Sequence, residues 1–205
     1  MNWWEIISAL LGLSCVFLAG RGKKANFYVG YVYNIFLFVL FWKQSLYSAM
    51  ILQPVAFGIN AFGHWRWTHP REDEVSSSDG KSLKVSRMSV KAWLLVISLA
   101  AVGGAAWALF LKGTDDPSPW LDSYVLMVTF LAQYLSAQKK WECWIVWLVV
   151  NVANVILYIS AGLYLMPVVS LLYIVNGVWS LVTWRRLYRS ESSENNPTDI
   201  REGYQ

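Results

Sequence analysis

Residues 23–67 read KKANFYVGYVYNIFLFVLFWKQSLYSAMILQPVAFGINAFGHWRW, and residues 140–184 read KWECWIVWLVVNVANVILYISAGLYLMPVVSLLYIVNGVWSLVTW. Laid over one another without a gap, at a shift of 117 positions, they match Lys23 to Lys140, Val32 to Val149, Asn34 to Asn151 and Leu40 to Leu157. The match continues through Leu46 and Tyr47 with Leu163 and Tyr164, and ends on Trp67 with Trp184. Apolar composition alone produces some coincidences, but a paired Asn in the middle of two apolar runs is hard to obtain that way. The chain reads as a duplicated unit. Duplicated apolar bundles with a polar residue midway along each half are the pattern of a transporter whose substrate lies between the halves.

Outside these stretches the composition points the same way. Hydrophobic residues make up 56% of 205 residues and the mean hydropathy is +0.38, too apolar for a soluble domain of this length. Segments without Asp, Glu, Lys or Arg cover 6–20, 25–42, 44–65, 92–111, 123–138 and 143–183, and the last breaks at Ser160, Ala161 and Gly162. Seven spans result. At a rise of about 1.5 Å per residue, a hydrocarbon core of about 30 Å needs about 20 residues, and spans 1, 2, 5 and 6 are near the minimum.

Fifteen of the seventeen basic residues fall on one side of these spans, and only Lys43 and Lys112 on the other. Cytoplasmic loops carry that excess, so the N-terminus is expected outside and the C-terminus in the cytoplasm. The net charge of +4 follows from this asymmetry, and no nucleic-acid partner is expected. Trp3, Trp4, Trp42, Trp65, Trp67, Trp93, Trp120 and Trp184 lie at span ends, where indoles anchor at the membrane interface. Trp144, Trp147 and Trp179 fall further in and need another role. The first apolar segment has an acidic flank and reads as a retained span rather than a cleaved signal.

The expected fold class is an all-α integral membrane protein, with seven transmembrane helices in a 3+1+3 plan of parallel repeats. Parity supplies the reason: three crossings end opposite their start, so one further crossing turns the second copy the same way up. The expected divisions are 1–67 for the first repeat, 68–91 for a flexible cytoplasmic linker rich in Ser and charge, and 92–111 for the connecting helix. The second repeat takes 112–184, and 185–205 forms a disordered cytoplasmic tail.

Span 6 carries the densest chemistry. Trp144, Trp147, Asn151, Asn154 and Tyr158 advance by 3, 4, 3 and 4, which stacks them on one face. Asn in mid-membrane is costly unless paired, so such residues face a bundle interior or a watery cavity. Indole faces offer stacking and cation–π attraction to a flat ring, and amides both donate to and accept from hydroxyls. The competing reading makes the Asn residues cross-links between helices and the Trp residues packing. Asn34 in span 2 is the repeat partner of Asn151, with Tyr31 and Tyr33 nearby. Span 3 offers Gln53, Pro54 and Asn60, and span 7 offers Tyr173, Asn176 and Trp179. Gln133 in span 5 has the weakest case.

Several chemistries lack their residues. There is no GxxxxGK[ST] run for nucleotide phosphates, no charged residue deep in a span to couple ions, and no nucleophile beside a base. His64 and His69 sit at the cytoplasmic end of span 3, where snorkelling is favoured over metal binding. Cys15 and Cys143 are not expected to pair, and no metal spacing or cofactor is expected.

The stretch Asn26 to Gly30 with Asn34, Leu46 through Gln53 to Gly63, the WRW of residues 65–67, Lys139 and Lys140, the WxxW of residues 144–147 with Asn151, and Asn176 with Gly177 resemble the PnuC family of bacterial vitamin transporters. The resemblance covers nearly all of the membrane part. It implies facilitated diffusion of nicotinamide riboside across the bacterial inner membrane, with metabolic trapping by a cytosolic kinase, in a homotrimer. Trp144 and Trp147 would surround the nicotinamide, while Asn151, Gln53 and Asn34 would bind the ribose or carboxamide. Thiamine or riboflavin uptake is the alternative within the class. A SWEET-like sugar uniporter and a membrane sensor or assembly protein are the alternatives outside it. No enzymatic activity is expected.

Overall fold

The computed structural model describes residues 3–43, 47–76, 80–113, 119–160 and 165–194. Among these, seven α-helices carry the fold: α1 (Trp3–Gly20), α2 (Ala25–Lys43), α3 (Tyr47–Thr68), α4 (Val90–Leu111), α5 (Pro119–Ala137), α6 (Cys143–Ser160) and α7 (Leu165–Glu194). The described residues contain a single 3-10 turn, Glu72–Glu74, and no strand beyond isolated bridges. Ala25–Lys43, Val90–Leu111 and Pro167–Ser193 are long and apolar enough to cross a membrane, and Ile6–Gly20 and Cys143–Ile156 are shorter apolar helices. Helix α3 continues through Pro54.

Six helices close a ring. α1 packs on α2, α2 on α3, α3 on α5, α5 on α6, α6 on α7, and α7 returns to α1, while α4 packs on α5 alone. Moved by 117 positions, the bounds of α1, α2 and α3 fall within one residue of those of α5, α6 and α7 at five of the six ends. The exception is the end of α7, which runs on to Glu194.

Where α3 meets α5 and α7 meets α1, positions 117 apart make equivalent contacts. Trp67 Nε1 donates to the carbonyls of Ser136 (3.2 Å) and Ala137 (3.1 Å), and Trp184 Nε1 donates to that of Gly20 (3.0 Å). Each indole thus supplies a donor to carbonyls at a helix C-terminus, which have no partner within their own helix. Gly63 packs against Ala137, and Gly20 against Ser180, so small residues let the backbones approach. Phe27 meets Trp67 edge-on (5.0 Å, 89°), and Trp144 meets Trp184 in the same way (5.5 Å, 88°). Trp67 and Trp184 touch each other at 5.9 Å.

This corrects the anchor reading for two residues. Trp67 and Trp184 are 2% and 1% exposed, buried by the neighbouring helix ends, whereas Trp3, Trp42 and Trp65 do lie exposed. The segment expected to be a flexible linker also differs. Leu83, Val85 and Met88 are buried in one cluster with Trp67, Trp144 and Trp184, and each such side chain contributes about 1.5–3 kcal/mol when removed from water. Polar ties hold it as well. Glu142 accepts from Met88 N (3.0 Å), Glu191 accepts from Val85 N (3.1 Å) and Ser76 Oγ, Lys139 Nζ donates to Leu83 O, and Arg66 pairs with Glu74 at 2.9 Å. Residues 80–88 form a strap across one end of the ring, because Leu83, Val85 and Met88 supply the apolar face that the overall polarity of the segment hides. Glu191 is buried in helix α7, so disorder beginning at 185 is likewise corrected, while residues 195–205 lie outside the described ones.

Candidate functional site

On α6 the exposed residues Ile145, Val149, Val152, Ile156 and Ile159 follow a helical stripe. The opposite side carries Trp144 (2% exposed), Asn151 (8%) and the half-buried Trp147 and Asn154. Tyr158 lies in the helix, but its side chain is outside the described residues. Helical spacing therefore separates an apolar face from a face of indoles and amides turned into the protein.

Neighbouring helices hold these side chains. Trp147 Nε1 donates to Ser136 Oγ (3.1 Å) on α5, and Ser136 in turn donates to Ala132 O (2.9 Å). Asn151 Nδ2 donates to Trp147 O (2.8 Å), one turn back. Trp144 is fixed by its edge-on contact with Trp184, and its indole N–H is buried without a hydrogen-bond partner.

Asn34 and Gln53 line one cavity of about 310 Å³ between α2 and α3, together with Ile35, Phe38, Pro54 and Phe57. Asn176 lines a second, of about 380 Å³, between α1 and α7, with Ser14, Phe17 and Tyr173. Asn176 Nδ2 also donates to Val16 O (3.3 Å), tying those two helices. The structure thus gathers Asn34 with Gln53, and Trp144, Trp147, Asn151 and Asn154 along α6, with Asn176 apart from both groups. Neither of these two cavities is lined by α6.

Other residues stand differently from expectation. Trp179 is 43% exposed on the outer face of α7, stacked on Phe17 at 6.3 Å beneath the Arg21 guanidinium. His64 does not snorkel: its Nδ1 shares a 3.1 Å hydrogen bond with Tyr31 Oη, and its ring stacks on Phe27 at 5.3 Å. A cluster of hydroxyls was missed. Gly12, opposite the exposed stripe of Trp3, Ile7, Leu10, Ser14 and Phe17, is the point on which Tyr173 Oη and Tyr33 Oη converge; any Cβ there would collide with Tyr173. In the sequence Tyr33 stands out only as a neighbour of Asn34, and the signal that points to it is a glycine on the inner face of an otherwise bulky helix.

Residues 2–186 match the family described as nicotinamide mononucleotide transporter. The chain belongs to this family of membrane transporters. Among its relatives, the nicotinamide riboside transporter PnuC of Neisseria mucosa is 27% identical, over 94% of this chain and 76% of that protein. PnuC of Haemophilus influenzae is 24% identical, over 92% and 81% respectively. The riboflavin/roseoflavin transporter RibM of Streptomyces davaonensis is 27% identical, over 93% and 88%. The crystal structure of the vitamin B3 transporter PnuC shares the fold with a TM-score of 0.72 and 23% identity, covering 92% of this chain and 83% of that one.

Proposed function

We propose that the protein takes up nicotinamide riboside by facilitated diffusion, and that a cytosolic kinase traps the product. The observation that carries this reading is the inward face of α6, where Trp144, Trp147, Asn151 and Asn154 combine stacking surface for a flat ring with amides for hydroxyl groups. Relatives named for nicotinamide riboside support it. Asn34, Gln53, Asn176 and Tyr158 complete the proposed set of binding residues.

The transport mechanism rests on two like-oriented repeats, α1–α3 and α5–α7, joined by α4 in a 3+1+3 plan. Its support is the ring order, which is unchanged when each helix of one repeat is exchanged for its counterpart. The Trp67 and Trp184 donations add to it, since each joins one repeat to the first helix of the other. Such a pair of units can rock about a central site and open it to either side. The N-terminus lies outside and the C-terminus in the cytoplasm of the bacterial inner membrane, as the basic loops require. The family resemblance supports a homotrimer, and α4, apolar and packed on α5 alone, leaves a broad surface for lipid or another protomer.

Riboflavin is the second reading, because RibM shares with this chain the same 27% identity as PnuC of Neisseria mucosa. Proteoliposomes offered labelled nicotinamide riboside, thiamine, riboflavin and glucose decide among these. Saturable uptake of the riboside alone, unaffected by pH or sodium gradients, is expected. Accumulation above the outside concentration without a kinase would overturn the passive mechanism.

A further inference from the structure

Helix α5 carries several polar side chains, and its hydroxyls satisfy themselves within the helix. Ser123 donates to Pro119 O (2.6 Å), Thr129 to Val125 O (2.7 Å) and Ser136 to Ala132 O (2.9 Å). Gln133 differs: its Oε1 is buried and accepts no hydrogen bond. An amide oxygen held out of bulk water without a donor from the protein is costly, and it calls for a donor from a bound water or a ligand.

The location of Gln133 identifies that partner. Ser136 reaches Trp147 on α6 and Ala137 meets Gly63 on α3, and steps of about 100° per residue put Gln133 between those two directions, facing the inside of the ring. It stands one turn before Ser136, which holds the Trp147 indole. Gln133 lies four residues before the end of α5 and Trp147 four residues after the start of α6, so both sit about 6 Å from the same end of the ring. The Tyr33 and Tyr173 hydroxyls converge on Gly12, eight residues before the end of α1 and therefore about one turn deeper. In the ring order, α1 lies across from α5. The interior thus has an aromatic end with a waiting acceptor, and a hydroxyl-rich end beyond it.

We propose that Gln133 reads the substrate: its side-chain oxygen accepts a hydrogen bond from an N–H on the flat ring held at Trp147, while the sugar points toward Tyr33 and Tyr173. This rests on the transport reading above and adds to it both the ring-recognising residue and the orientation of the ligand. For nicotinamide riboside the N–H belongs to the carboxamide. For riboflavin it is the imide N–H of the ring system.

The test compares uptake of nicotinamide riboside with that of nicotinic acid riboside, whose carboxylate has no N–H, by wild type, Gln133→Leu and Gln133→Met in proteoliposomes. Wild type is expected to prefer the amide. In both variants KM for the amide should rise about tenfold with an unchanged maximal rate, and the preference should fall toward unity. A residue that only packs would not shift the preference, so variants retaining the wild-type KM and preference overturn the proposal. Should Gln133→Leu aggregate, Gln133→Met carries the same comparison. If wild type transports riboflavin and no riboside, the vitamin assignment fails, and Gln133 is judged on riboflavin against its N3-methyl derivative in the same variants. Transport of neither overturns both.

Discussion

Three buried indoles near one end of the ring differ in one atom's surroundings, and that difference yields a sharp prediction. Trp184→Phe keeps an aromatic ring edge-on to Trp144 but removes the N–H that reaches Gly20 O at 3.0 Å. A buried acceptor left without its donor costs about 1–3 kcal/mol, and the lost ring area adds about 1 kcal/mol. The total is about 3 kcal/mol, which for a chain of this length lowers Tm by about 6–12 °C. Trp67→Phe should cost about the same, since its N–H serves Ser136 O and Ala137 O.

Trp144→Phe should behave otherwise. Its N–H has no partner, so removing it relieves a desolvation cost of about 1–3 kcal/mol while forfeiting about 1 kcal/mol of ring area. The net change should be close to zero or stabilising. The assay is thermal unfolding of the three purified variants in one detergent. A Trp144→Phe loss as large as that of Trp184→Phe would refute the reasoning, as would a silent Trp67→Phe. Because the Trp67 and Trp184 rings touch, the double variant should also depart from the sum of the singles, by about 0.5 kcal/mol or more.

Asn151→Leu replaces an inward amide with an apolar side chain of the same branching, so saturable uptake should vanish while Tm shifts by less than about 4 °C; normal transport would remove Asn151 from the site. Gly12→Ala drives a methyl into the Tyr173 hydroxyl and should cost about 1–3 kcal/mol, recovered in part by adding Tyr173→Phe, with both read by Tm. Burial raises the Glu74 carboxyl, but hydrogen bonding and charge from Arg66 outweigh it and hold the carboxyl below its ordinary value of 4.5. That contribution to local stability is present above pH 4.5 and lost as pH falls through the depressed value. Solvent screening limits it to about 1 kcal/mol, and Glu74→Gln should remove the acid-induced loss of hydrogen-exchange protection expected for residues 72–76, read as protection factors corrected for the intrinsic rate at each pH.

The legible part of the sequence was what period and repetition encode. At the shift of 117 positions the helix bounds agree to within one residue at five of six ends, and the spacing on α6 identified a face whose described members Trp144, Trp147, Asn151 and Asn154 turn inward. What escaped was set by tertiary partners. Trp67 and Trp184 end their apolar segments as interface anchors do, and only the neighbouring helix ends show them to be donors. The strap looked flexible because Leu83, Val85 and Met88 are diluted among Ser and charged residues, though they are enough to hold it down once a buried surface faces them.

The least legible feature is a difference between two helix pairs that lie 117 positions apart. In the first, Gly30 on α2 makes room for Asn60 on α3, whose amide donates to Phe27 O at 3.0 Å. In the second, the positions 117 residues later are Trp147 and Gly177, with Leu148 leaning on the glycine. The glycine lies on α2 in one helix pair and on α7 in the other, and the side chain packed against it comes from α3 (Asn60) in the first and from α6 (Leu148) in the second, so an identity count registers two mismatches. The difference also breaks the symmetry of the two pairs. On the proposed transport reading, Trp147 then stands where the other half has a glycine, so the two walls differ at the depth where a flat ring would stack.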